Sequence, residues 1–290
     1  MTMRRMRASL LLGAVLSAAV ALCPLGQGVA SAADTAATAG RYVALGDSYS
    51  ADSGVMPITK GTNPICLQSA RNYPKLVAAD LGLSLVDATC GGATVAHLTK
   101  SQYPGVPAQL DALDGTESVV TVGIGGNDSN LFASAIGLCG VFAPIAVLNL
   151  GAPCKQTYGD HFDRLIDSDA TAIGAAIEAI RQRAPHAHVY VVGYPDILPQ
   201  SGRCFAQMPL TTGDTAYMNA VQKHVNTMLA EEAQLHGATF IDTYTPSIGH
   251  DVCQPAGVRW IEPPLSGQPI HPGPDGAAAQ ARIVAAAISS

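Results

Sequence analysis

Charged side chains are scarce in this 290-residue chain, at 13%, and aromatic ones scarcer still, at 5% with one tryptophan. Basic residues are the rarer sign, 16 Lys and Arg against 22 Asp and Glu, for a formal net charge of −6. Past Arg4, Arg5 and Arg7 there is no Lys/Arg cluster. That argues against nucleic acid and against electrostatic binding to anionic membranes. No C-x-x-C or clustered Cys/His spacing occurs, so neither a zinc site nor another metal is expected. There is no internal repeat, no low-complexity tract and no linker that would split the chain. No apolar run invites a membrane-spanning reading except two, and both fail: Leu10–Leu22 is short and ends at Pro24, and Leu131–Cys154 is broken by Pro144 and Asn149.

The first of those runs has another meaning. Arg4, Arg5 and Arg7 precede it, and Ala30-Ser31-Ala32 follows it as a small-residue cleavage site. This is the pattern of a secretory signal peptide over residues 1–32, which leaves one domain over 33–290 and places the protein outside the cell. Cys23 departs with the leader. Cys66, Cys90, Cys139, Cys154, Cys204 and Cys253 remain, an even number that in a secreted chain reads as three disulfides. Several pairings are open. Chain order (66 with 90, 139 with 154, 204 with 253) keeps each loop within one part of the fold and is the expected one.

Short apolar runs alternate with helical stretches along the chain. Strands are expected at Arg41–Leu45, Leu83–Ala88, Ser118–Ile124, His188–Val192 and Ala238–Asp242. Helices are expected at Pro74–Leu81, Pro107–Leu113, His161–Arg183, Asp214–His236 and Pro274–Ile288. In His161–Arg183 the residues Phe162, Leu165, Ile166, Ile173, Ile177 and Ile180 form one stripe. Leu131–Cys154 holds no charged residue and is expected to be a buried helical hairpin, with an apolar wall for a substrate chain as the competing reading. Alternation of this kind predicts an α/β fold: a three-layer αβα sandwich, flavodoxin-like, on a parallel sheet of about five strands.

Three strands then end in chemically suggestive turns: Gly46-Asp47-Ser48, Gly91-Gly92 and Gly125-Gly126-Asn127, with Pro269-Ile270-His271-Pro272 after the last strand. In a parallel sheet these share the carboxyl edge, where such folds place their ligands. Acyl transfer needs a hydroxyl nucleophile, a base and donors for the developing oxyanion. Ser48 and His271 supply the first two. The backbone N–H groups of Ser48 and Gly92 and the amide of Asn127 supply the third. Asp47 is expected to organise its turn through backbone hydrogen bonds, and the other histidines, His250 among them, to pack or pin turns.

These blocks resemble the SGNH hydrolases, the GDSL lipase and esterase family, in its secreted bacterial three-disulfide branch. Gly46-Asp47-Ser48-Tyr49-Ser50 is similar to the first block, Cys90-Gly91-Gly92-Ala93-Thr94 to the second, Gly125-Gly126-Asn127-Asp128 to the third, and His271-Pro272 with Gly276 to the last. The resemblance implies a nucleophile at Ser48, a base at His271, and an oxyanion hole of Ser48, Gly92 and Asn127. One position departs from the family. Where an aspartate usually stands three residues before the histidine, this chain has Gln268. A backbone carbonyl near 268–269, the Gln268 side-chain oxygen, or a more distant carboxylate such as Asp251 or Asp275 remain as groups to hold the imidazole.

The implied activity is hydrolysis of carboxylic esters through a Ser–His dyad and an acyl-enzyme, without cofactor, by a monomer. The charge-free stretch favours lipid esters met at a lipid–water interface, in the manner of a lipase, esterase or phospholipase A. A carbohydrate esterase of the acetylxylan type is the rival, against which the few aromatics count. A non-catalytic flavodoxin-like binding module is a third reading, and it leaves Asn127 and His271 unexplained. No G-x-S-x-G elbow occurs, which disfavours the α/β-hydrolase fold.

Overall fold

A computed structural model describes residues 40–290, so the leader over 1–32 lies outside the described residues. The strands are β1 (Arg41–Gly46), β2 (Ser84–Asp87), β3 (Val119–Gly123), β4 (His188–Val192) and β5 (Thr239–Ile241). All pair in parallel, in the order β2-β1-β3-β4-β5. The helices are α1 (Ser48–Ala51), α2 (Tyr73–Leu81), α3 (Ala96–Thr99), α4 (Leu131–Gly140), α5 (Ala143–Ala146), α6 (Pro153–Tyr158), α7 (His161–Arg183), α8 (Thr212–Leu235) and α9 (Pro274–Ile288). The helix expected at Pro107–Leu113 is a single 3₁₀ turn over Gln109–Ala112.

Strand alternation sorts the core into two layers. Val43, Leu45, Val120, Val122, Val189 and Val191 face α7 and α8, meeting Ile173, Ile177, Val225 and Leu229. Tyr42, Ala44 and Val192 face the other way, onto Tyr73 and Val77 of α2 and Val284 of α9. The sheet is therefore covered on both sides, the three-layer αβα arrangement.

Local chemistry sets the helix ends. Asn72 caps α2 through its side chain and Pro74 occupies the first turn, while Gly82 closes the helix in the left-handed region (φ 64°). Thr211 caps α8 by accepting from Asp214 N–H. The disulfides join Cys66 to Cys90, Cys139 to Cys154 and Cys204 to Cys253.

The topology makes its switch between β1 and β3, the two strands whose connections leave to opposite sides, and a crevice opens at such a point beyond the carboxyl ends. Gly46 pairs with Gly123 at that edge. The chain after β1 thus begins where the crevice begins.

Candidate active site

Ser48 is the first residue of α1, directly past β1. Gly46 makes the turn with φ 144°, and a Cβ there would lie 2.4 Å from Ser50 Oγ and 2.6 Å from the Gly123 carbonyl. No side chain fits that gap. Gln109 straps the strand end, accepting from Gly46 N–H at 2.7 Å and donating to its carbonyl at 2.9 Å. Asp47 donates its own N–H to Gly123 O at 2.9 Å and accepts from Tyr49 N–H through Oδ1 at 2.9 Å. It thereby N-caps the turn that carries Ser48.

His271 arrives from the far end of the chain. Its Nε2 lies 2.7 Å from Ser48 Oγ, and its Nδ1 lies 2.7 Å from the Pro269 carbonyl. A carbonyl only accepts, so Nδ1 carries the proton and Nε2 accepts from the serine hydroxyl. Burial holds the His271 pKa below its ordinary value, against the opposing pull of the Pro269 carbonyl. The imidazole is therefore neutral at pH 7. Ile270 between them has φ 58°, a left-handed conformation that costs a β-branched residue about 1–3 kcal/mol. Three contacts hold it there: Ile270 N–H donates to Glu262 O at 3.0 Å, its carbonyl accepts from Tyr49 O–H at 2.6 Å, and the Tyr49 ring centroid lies 4.9 Å from that of His271.

The alternatives for the orienting group now separate. Gln268 does not reach the imidazole; its Nε2 donates to Gly54 O at 2.6 Å, because the strained step at Ile270 turns the carbonyl of Pro269, not the side chain before it, toward the ring. Asp251 is also engaged elsewhere, accepting from Cys253 N–H and from Gln254 Nε2.

Gly92, with φ 73°, and Asn127 line the same cavity as Ser48 and His271. The Cys66–Cys90 disulfide, Gly91 N–H donating to Cys66 O and Gln102 Nε2 donating to Gly91 O hold the glycine turn. Asn127 Nδ2 donates one hydrogen to Ala93 O at 3.0 Å, which leaves the other free. Asp128 accepts Val95 N–H with both oxygens and ties the second and third turns together; burial first of all raises its pKa to about 6.

A family model for GDSL-like lipase/acylhydrolases matches residues 44–279. The chain belongs to that family. Such a GDSL hydrolase cleaves carboxylic esters. Lipase 2 of Streptomyces coelicolor is 46% identical over 237 residues, which cover 80% of each chain. Two solved structures are similar throughout. Phospholipase A1 from Streptomyces albidoflavus is 26% identical, with TM-score 0.72, covering 86% of this chain and 99% of that one. An extracellular lipase from Streptomyces rimosus is 27% identical, with TM-score 0.72, covering 87% and 100%.

The cavity beside the dyad of this GDSL hydrolase has a volume of about 540 Å³. One wall is Phe132, Ala135 and Ile136 of α4 with Leu198, Met208, Met218 and Val221; Ile65, Leu67 and Tyr103 line it elsewhere. The stretch from Leu131 to Cys154 is thus not the buried hairpin expected from its composition. It supplies one cavity wall and leaves Val141, Ile145, Val147, Leu148 and Leu150 in solvent. An absence of charge does not distinguish a buried helix from an exposed apolar one.

Sequence reasoning missed Tyr194. Its hydroxyl donates to Asp47 Oδ2 at 2.6 Å and accepts from Gly126 N–H at 2.8 Å, joining the serine turn to the residue before Asn127. Burial, outweighing these hydrogen bonds, raises Asp47 to a pKa of about 7. The available signal was position: Tyr194 follows β4 at the same sheet edge as the other turns. His250 stacks on Trp260 with ring centroids 4.3 Å apart, and the ring on Ser48 Oγ is that of His271. Among the described residues, no group of three or more His, Cys, Asp or Glu is placed to hold a metal ion.

Proposed function

We propose that this protein is secreted and hydrolyses lipid esters, with Ser48 as nucleophile and His271 as base. The observation that carries the reading is the 2.7 Å Ser48–His271 hydrogen bond on the wall of a mainly apolar cavity. His271 Nε2 takes the hydroxyl proton as Ser48 Oγ bonds to the ester carbonyl carbon. The carbonyl π electrons move to oxygen, and the N–H groups of Ser48 and Gly92 with Asn127 Nδ2 receive that charge. Each such donor is worth about 10²–10³ in rate. The tetrahedral intermediate collapses, its C–O bond to the alcohol breaks, and His271 returns the proton to the departing oxygen. Water repeats the sequence on the acyl-enzyme.

Pro269 O holds the Nδ1–H throughout and fixes the tautomer. It carries a dipole rather than a charge, so it stabilises the imidazolium less than a carboxylate does. The apolar wall of Phe132, Ile136, Met208, Met218 and Val221 suits the acyl chain. The relatives named lipase and phospholipase A1 support this class, and three disulfides suit an extracellular protein.

A nitrophenyl ester series from acetate to palmitate, run beside phosphatidylcholine and acetylated xylan, tests the reading. Medium or long chains are expected to be preferred, and Ser48→Ala to remove turnover of all of them with the fold intact. Deacetylation of xylan without turnover of medium-chain esters would sink it.

A further inference from the structure

We propose that the segment from Ile136 to Leu150 is a docking surface for a zwitterionic lipid surface, and that it delivers the substrate to the cavity. This rests on the reading that the cavity takes an acyl chain. Ile136, Val141, Ile145, Val147, Leu148 and Leu150 are all exposed, Leu148 at 64% and Leu150 at 71%. Single exposed apolar residues are ordinary, but a run of them within fifteen residues marks an interaction surface.

Two observations select the occupant. The first is charge. No charged residue lies between Leu131 and Cys154, and the chain as a whole is acidic. An anionic bilayer would be repelled by the acidic chain and would find on this patch one cation, Arg203, whose guanidinium is already bonded to the carbonyls of Ala146 and Val147, whereas a headgroup layer of zero net charge requires none. The second is continuity with the cavity. Ile136 both lines the cavity and is exposed, as are Ile65 and Leu67 on its other side. A lipid pressed against the patch meets an apolar rim leading to Ser48.

The segment is also built to keep its side chains outward. The Cys139–Cys154 disulfide closes it. Arg203 donates to the carbonyls of Ala146 and Val147, and Asn149 Oδ1 accepts Thr212 N–H at 2.8 Å. The Arg203 bonds satisfy two loop carbonyls that would otherwise need water when the loop enters a headgroup layer, and the Asn149 bond ties the loop to the start of α8. A preformed apolar loop of this kind binds an interface without first paying to order itself.

The test is flotation of the protein with vesicles of dialkyl phosphatidylcholine, an ether lipid with no ester to cleave. Binding is expected, insensitive to salt between about 0.05 and 0.5 M and not increased by an anionic lipid. Leu148→Ser with Leu150→Ser should weaken it about tenfold or more, with kcat/KM on soluble nitrophenyl butyrate within about twofold of the parent, since neither side chain lines the cavity. Absence of vesicle binding by the parent, or equal binding by the double variant, overturns the proposal. So does a parent dimer in light scattering that the double variant converts to monomer without a change in vesicle binding, because the occupant is then a second copy. If the parent hydrolyses long-chain esters and yet ignores vesicles, only the docking surface falls. If it hydrolyses no ester longer than acetate, the acyl-chain reading falls whatever the vesicles show.

Discussion

Tyr194→Phe removes one oxygen atom from the centre of the site and tests how the serine turn is held. The ring should stay, packed edge-on against Tyr49 at 5.1 Å and Phe132 at 4.9 Å. What goes is a donor to Asp47 Oδ2 and an acceptor for Gly126 N–H, both in fully buried surroundings. A lost hydrogen bond to a charged group is worth about 1.5–3 kcal/mol, and an orphaned buried N–H about 1–3 more. We therefore expect a destabilisation of about 3–5 kcal/mol near pH 8.

The loss should depend on pH, and its sign follows from Asp47. That carboxyl has a folded pKa of about 7, raised by burial from an ordinary value of 3.8. Between those values the folded state holds a proton that the unfolded state has released, so stability falls as pH rises and levels off above about 7. The Tyr194 hydroxyl favours the ionised form, so its removal raises the Asp47 pKa further and carries the decline to higher pH. The variant and the parent should differ least near pH 5 and most above pH 7, by about 1.4 kcal/mol for each unit the pKa moves. Urea denaturation at pH 5 and pH 8.5 measures this, beside kcat on a soluble ester. The kcat should fall and KM change little, because the serine turn and Asn127 loosen while the cavity wall stays. A destabilisation that is equal at both pH values, or larger at pH 5, would refute the role given to the Asp47–Tyr194 pair.

Three further outcomes follow from the same geometry. Since burial lowers the His271 pKa and the neutral imidazole is the proposed base, kcat/KM should rise with pH through a limb below the ordinary histidine value of 6.5 and be flat above it; a limb above 6.5 would mean an acidic partner holds the ring. Gly46→Ala, at φ 144° and 2.4 Å from Ser50 Oγ, should destabilise by about 3 kcal/mol or more and yield little folded protein, which a thermal melt would show. Gln268→Ala should leave kcat within about threefold, since its side chain bonds Gly54 O rather than the imidazole; a loss as deep as that of His271→Ala in the same ester assay would contradict the Pro269 carbonyl as orienter.

Much of the architecture is set by local pattern. The apolar runs at β1, β3 and β4 read as buried strands, and the stripe of Phe162, Ile166, Ile173, Ile177 and Ile180 reads as one face of α7. Their alternation dictates a parallel sheet, and a parallel sheet gathers the turns after its strands on one edge. For that reason Ser48, Gly92 and Asn127 could be grouped before any coordinate was known. Their chemistry lies in residue type and in position after a strand, both of which a linear chain displays.

What only the tertiary structure decided depends on where backbone and side chains point in space. The imidazole is held by a carbonyl, a group every residue possesses, and the one chosen follows from a positive φ at Ile270 that no residue type announces. Tyr194 acts across 147 positions on Asp47, a pairing that exists because β1 and β4 flank β3 on either side and end at the same edge. The charge-free Leu131–Cys154 stretch is expected from composition to be a buried hairpin and is not one, since the hydrophobic effect rewards burial of apolar area without saying which partner covers it. Here the protein's own elements cover Leu131, Ala135 and Cys139 and leave Leu148 and Leu150 uncovered. Which face of an apolar element meets solvent is a property of the whole packing, and composition does not contain it.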